Sequence, residues 1–110
     1  MQIEISTDRN IEGNENLVSA TTDSVAHALR RFSDQITRVE VHLADENGPK
    51  GGQNDIRCML EVRIEGRQPI AVTHHAATIP LAVDGASSSL VSLIENTLGR
   101  TEALRRAQRS

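Results

Sequence analysis

Four histidines, one cysteine and a run of three serines are the groups here suited to acid–base, metal or nucleophilic chemistry. His74 and His75 are adjacent on an expected strand, so they point to opposite faces and cannot chelate one ion together. His27 falls on the polar side of an expected helix, and His42 on the outer face of a strand. No carboxylate stands at a sequence spacing that would fix an imidazole tautomer, so neither a zinc site nor an acid–base pair is expected. A single cysteine excludes an internal disulfide and any multi-cysteine zinc site. Cys58 alternates with aliphatic residues and reads as a small core residue, not a nucleophile. Ser87-Ser88-Ser89 lies mid-helix, without the strained elbow that exposes a nucleophilic serine. These hydroxyls are expected to face solvent or a neighbouring helix. Gly48-Pro49-Lys50-Gly51-Gly52 lacks the spacing of a phosphate loop and joins two strands, which makes it a hairpin connection. No enzyme, cofactor or metal follows from these residues; an enzyme would need a deep pocket holding His42 or His74 beside a carboxylate.

Arginine is the remaining chemistry. The chain has eleven arginines against one lysine, and arginine offers a planar, bidentate fork suited to phosphate. Codon bias in a GC-rich genome explains the same ratio without any ligand. With one Phe and no Trp or Tyr, the core must be aliphatic, and functions built on rows of aromatic side chains are disfavoured. Base-stacking RNA readers, sugar-stacking lectins and proline-groove modules are among them. The net charge of −3 announces no nucleic-acid partner. No basic, apolar leader and no apolar run of bilayer length is present, so the chain reads as cytoplasmic.

The elements that must position the arginines follow from periodicity. Residues 2–6 alternate as a half-buried strand. From Asn14 or Asn16 as cap, Val18, Thr21, Val25, Ala28, Leu29 and Phe32 form one helical face. Residues 36–44, 55–65 and 69–76 alternate as three further strands, the last two joined by a tight turn at Gly66-Arg67. Thr78 caps a second helix with Pro80 in its first turn and a stripe of Ile79, Val83, Ala86, Leu90, Leu93/Ile94 and Leu98. Gly99 is a candidate end for it, leaving a basic extension over residues 100–110. The order β-α-β-β-β-α implies one α+β domain over residues 1–110: a two-layer sandwich, with a four-stranded mixed sheet carrying two helices on one face. Strands one and two are then parallel across a helical crossover.

That topology sorts the charges. Both helix C-termini, the start of strand two and the Gly66 turn fall at one end, which carries Arg30, Arg31, Arg38, Arg67, Arg100, Arg105, Arg106 and Arg109. Asp8, Glu12, Glu15, Asp45, Glu46 and Asp55 fall at the other. A field so polarised guides a polyanion to one end. If continuous to Arg106, the second helix runs about 42 Å and overhangs the sheet. Complementation of the helix dipole accounts for Glu15, Arg30 and Arg31, but it fades within one turn and leaves the four distal arginines unexplained. The outer sheet face, with Arg38, Glu40, Arg57, Glu61, Arg63 and Glu65, reads as a solvated charge ladder or a weak homodimer contact.

Met1-Gln2-Ile3, Arg9-Asn10-Ile11-Glu12 and the run from Phe32 to Leu43 (FSDQITRVEVHL) resemble the ribosome hibernation-promoting and ribosome-associated inhibitor proteins. The likeness continues through Asp55-Ile56-Arg57-Cys58, Glu61-Val62 and Arg67-Gln68-Pro69-Ile70-Ala71-Val72, in order and spacing more than in any one motif. It implies the same sandwich, no catalysis, no cofactor, and binding to rRNA in the cleft of the small ribosomal subunit, with translation modulated under stress. The chain is similar to the short form, without the C-terminal domain of longer members. It departs from the family's lysine-rich helices: the first helix begins acidic, and the second carries serines, Asp84 and Glu95 before Arg100. The expected function is therefore non-enzymatic ribosome association through the arginine-rich end. The alternative is a protein-interaction or self-associating module on the same scaffold.

Overall fold

The computed structural model describes residues 1–47 and 55–109, the stretch 100–109 as backbone only. The segment Gly48-Pro49-Lys50-Gly51-Gly52 lies outside the described residues. The elements run β1 (Gln2–Thr7), α1 (Glu15–Ala28), a 3₁₀ turn (Arg30–Phe32), β2 (Ile36–Asp45), β3 (Ile56–Ile64), β4 (Ile70–Ala76) and α2 (Ile79–Arg109). The strands form one sheet in the order β1-β2-β3-β4. β1 is parallel to β2, and the other two pairs are antiparallel. This is the expected β-α-β-β-β-α sandwich.

Local chemistry sets the helix starts. The Asn14 side-chain oxygen accepts the Leu17 N–H at 2.8 Å, satisfying one orphan amide of α1. Thr78 does the same for α2 through the Leu81 N–H at 3.3 Å, with Pro80 in the first turn where no donor is needed. Ile64 accepts the Arg67 N–H at 3.0 Å, closing a turn whose Gly66 has φ +76°, a conformation that costs a Cβ-bearing residue.

One aliphatic layer fills the space between sheet and helices. Leu29, Leu43, Leu60, Leu90 and Ile94 are its largest fully buried side chains, and Phe32 contributes the single aromatic. Two expectations are corrected. Val18 and Leu93 are exposed, while Leu17 packs against the core and Ile94 is fully buried. Of the alternatives Leu93 and Ile94, Ile94 takes the core position, and Leu17 takes the place expected of Val18. Gly99 does not end α2, which continues to Arg109. The residues that follow it (Thr-Glu-Ala-Leu-Arg-Arg) are mostly strong helix formers, and propagation tolerates one glycine at a cost of about 1 kcal/mol.

Candidate nucleic-acid interface

α1 and α2 both run from the β1/β2 C-terminal end of the sheet toward its opposite end, so they lie parallel on one face. The expected arginine end is therefore assembled from the α1 C-terminus, the start of β2, the Gly66 turn and the distal part of α2. At about 1.5 Å per residue the 31 residues of α2 span about 46 Å, against about 33 Å for the ten of β2. The longest dimension of the chain is 59 Å. The side chains of Arg100, Arg105, Arg106 and Arg109 lie outside the described residues.

The arginines that are described do not form an unopposed positive patch. Arg31 is ion-paired with Glu95 of α2 and stacks over the Phe32 ring, 4.9 Å from its centroid. Arg38 meets Glu4 at 2.5 Å and Glu40 at 3.1 Å. Arg30 donates to the His27 carbonyl at 2.6 Å, which satisfies an orphan acceptor at the end of α1. Arg67 sits half-buried on the hairpin. Arg30 and Arg31 are exposed, and each retains donors in its five-donor fork.

On the outer sheet face the register sets like charges side by side. Glu4, Glu40 and Glu61 form one row across three strands, and Arg38 faces Arg63 in the next. The ion pairs are accordingly diagonal or along a strand, as in Arg38–Glu4 and Arg63–Glu61, the latter at 3.9 Å. A second copy stacked about a two-fold axis parallel to the strands meets the glutamate row with its own glutamate row, which is repulsive.

At the acidic end, Asp8 ties the end of β1 to β2: one carboxylate oxygen accepts the Asn10 amide at 3.0 Å and the other the Asp45 amide at 3.2 Å. The shallow cleft of about 220 Å³ holding Asp8, His42 and Arg57 therefore has its carboxylate occupied by backbone donors. One reading of the histidines is corrected here. Glu46 lies 3.1 Å from His75 Nε2 and 3.3 Å from Arg57 Nε, a partner invisible in the sequence because 29 residues separate it from His75. His74 points to the helix side of the sheet and His75 away from it, as expected. Among the described residues no group of three His, Cys, Asp or Glu side chains could hold a metal ion. Among them, too, no helix is long and apolar enough to cross a membrane.

Cys58 is fully buried, and burial pushes its thiol from 9.0 up to about 12. At pH 8 it is expected to resist an aromatic disulfide reagent in the native chain and to react fully once urea unfolds it. Fast reaction in native buffer would contradict a sealed core.

Sequence reading missed a groove between the two parallel helices. Its lower part, about 430 Å³, is lined by Ser24, His27, Asp84, Ser87, Ser88 and neighbouring Ala28 and Val91. Its upper part, about 230 Å³, is mostly apolar, with Leu17, Ala20, Ile79 and Val83. The signal was the small or polar residues at helical spacing, Ala20-Ser24-Ala28 against Pro80-Asp84-Ser87/Ser88. The Ser87 hydroxyl is buried and has no hydrogen-bond partner among the described residues. Ser87→Ala removes an unpaired buried hydroxyl and improves helix propensity, so it is expected to raise stability by about 1 kcal/mol, or about 5 °C in Tm by calorimetry.

Comparison with known proteins places this geometry. The chain superposes on the N-terminal domain of Protein Y from Thermus thermophilus with a TM-score of 0.71 and 21% identity, covering 88% of this chain and 99% of that one. The fold is shared. A ribosomal subunit interface protein from Coxiella burnetii matches with a TM-score of 0.66 and 16% identity, over 94% of this chain and 99% of the other. No family model matches the sequence, and no curated protein matches it. The likeness to this group, read from residue order, is thus met in the fold across most of the chain.

Proposed function

We propose that the protein is a non-enzymatic, cytoplasmic, ribosome-associated factor that contacts rRNA phosphates of the small subunit and modulates translation under stress. The observation that carries the reading is the shared fold with the Protein Y N-terminal domain and the Coxiella ribosomal subunit interface protein, joined to a helix α2 that continues through Arg100, Arg105, Arg106 and Arg109. Arg30, Arg31, Arg38 and Arg67 belong to the same end, but the carboxylates on Arg31 and Arg38 make them secondary to the four distal arginines. With one aromatic residue in the chain, base stacking contributes little. Binding rests on backbone charge and shape, which predicts strong salt dependence and weak sequence preference.

Co-sedimentation of the purified chain with small subunits across a salt series tests this. Retention at low salt that decays steeply as salt rises is the expected result. Absence from the subunit fraction at low salt would sink the proposal. A mass that grows with concentration in light scattering, with no RNA retained, would instead favour a self-associating module.

A further inference from the structure

The sheet edge at β4 lacks the features that keep an open strand from pairing. We propose that two copies of the chain associate through it, β4 antiparallel to β4, with their α2 helices side by side over the joined sheet. β4 is last in the strand order, so its outward N–H and C=O groups have no ladder partner among the described residues. It pairs with β3 over all seven residues without a bulge, and Ile70–Ala76 holds no Asp, Glu, Lys, Arg or Pro. Charges, prolines and bulges are the usual guards of an open edge. The other edge strand, β1, carries one of them in Glu4.

The occupant is a second copy because this side of the molecule matches itself about a two-fold axis. Antiparallel strands set residues of the same face opposite each other, so an axis through Thr73, the middle of β4, pairs all seven residues. Thr73 then faces Thr73, and Val72 faces His74. The helix above obeys the same symmetry. Pro80, Asp84, Ser87 and Val91 line the α1 side of α2, which leaves the i, i+4 row Leu81, Gly85, Ser89 and Leu93 toward the open edge. Gly85 stands against His74, which fixes the height of α2 on β4. Thr73 is one residue, about 3.3 Å, back along β4, a distance that α2, running the opposite way, covers in about two residues. The axis therefore passes α2 near the level of Ser87, with Leu81 and Leu93 six positions to either side. Across it, Leu81 of one copy meets Leu93 of the other, and Gly85 meets Ser89. Among the described residues these leucines are the large apolar side chains that α2 leaves exposed, at 57% and 41%. α2 packs on β3 as well as β4, so its axis stands inside the edge. The small Gly85 and Ser89 then let the two helices approach to about 8–10 Å.

Sedimentation equilibrium of the full chain at pH 8 tests this over a concentration series. The mass is expected to rise from 12.0 kDa toward twice that value, with a Kd between about 10 µM and 1 mM, the range of a small, transient interface. Thr73→Lys sets like charges opposite each other on the axis and should weaken association at least about tenfold. Leu81→Lys alone and Leu93→Glu alone should each weaken it about tenfold. The double variant should recover to within about threefold of the wild type, because each new charge meets its opposite on the other copy. Within one chain the two positions are about 18 Å apart along α2, too far for the charges to pair. Recovery in the double variant also shows that the single variants lost a contact and not their fold. In the wild type, β4 amides should exchange more slowly with deuterium as concentration rises. The variant lacking the four distal arginines should dimerise as the wild type does, which separates this contact from the ribosome reading. A mass fixed at that of one chain up to about 1 mM would overturn the proposal, even if β4 captured a strand of another protein. A dimer indifferent to Thr73→Lys, or a double variant no better than its single parents, would overturn it too.

Discussion

Replacing Arg100, Arg105, Arg106 and Arg109 together with alanine is expected to lower affinity for the small subunit by about a hundredfold near 0.1 M salt, and to flatten the salt dependence. The reasoning is counter-ion release. Each arginine on a phosphate frees roughly 0.7 to 0.9 of a condensed cation, so four lost contacts reduce the log–log slope by about 3. The substitution also removes four positive charges from a chain whose net charge is already −3, which deepens long-range repulsion. Alanine keeps the helix propensity of α2, so loss of helix does not explain the effect. Arg9→Ala and Arg57→Ala are the controls: Arg9 lies just past the end of β1 and Arg57 at the start of β3, both at the acidic end, and Arg57 already meets Glu46. They should leave slope and affinity almost unchanged. An unaltered slope in the fourfold variant would show that the distal arginines touch no phosphate.

Much of the fold was legible because its alternation is clean. Ile56, Cys58, Leu60, Val62 and Ile64 could face only one layer, and the two helix caps at Asn14 and Thr78 carry side chains that reach their own first-turn amides. The choice between Leu17 and Val18 was not legible, since both sit three or four positions from Thr21. Contact with the start of α2, where Ile79, Pro80 and Val83 line the same groove as Leu17, goes with the burial of Leu17. Gly99 was ambiguous for a different reason. A glycine ends a helix when the next turn is better satisfied elsewhere, and here the chain beyond it favours continuation.

The site was legible only as a sum of charges. Topology brings the arginines to one end, but the sequence does not show that Glu95 lies across from Arg31, or that Glu4 and Glu40 flank Arg38. Those partners are distant in the chain and become neighbours through sheet register and helix placement. The interhelix groove was hidden by the same arithmetic. Asp84 and His27 are 57 positions apart, and their common lining depends on two helices laid side by side by one sheet. Charge polarity therefore survives in a narrower form: the proximal arginines are partly neutralised, and the proposed RNA contact shifts toward the distal helix.

His74 explains a glycine. An added Cβ at Gly85, inside α2, would overlap the His74 imidazole, which β4 presents to the helix side of the sheet. On an open helix surface Gly→Ala gains about 1 kcal/mol of propensity. Here the methyl group must push the ring out of the space between β4 and α2, an overpacking cost of about 1 to 3 kcal/mol. Gly85→Ala is therefore expected to lose about 1 kcal/mol in urea unfolding, against the direction that propensity gives. In a His74→Ala background the obstacle is gone, and the same substitution should gain up to about 1 kcal/mol. The reversal of sign is the measurement, because a general intolerance of α2 to substitution would lower stability in both backgrounds. Identical effects with and without the imidazole would show that His74 does not pack on Gly85. The reversal would assign His74 to packing between sheet and helix.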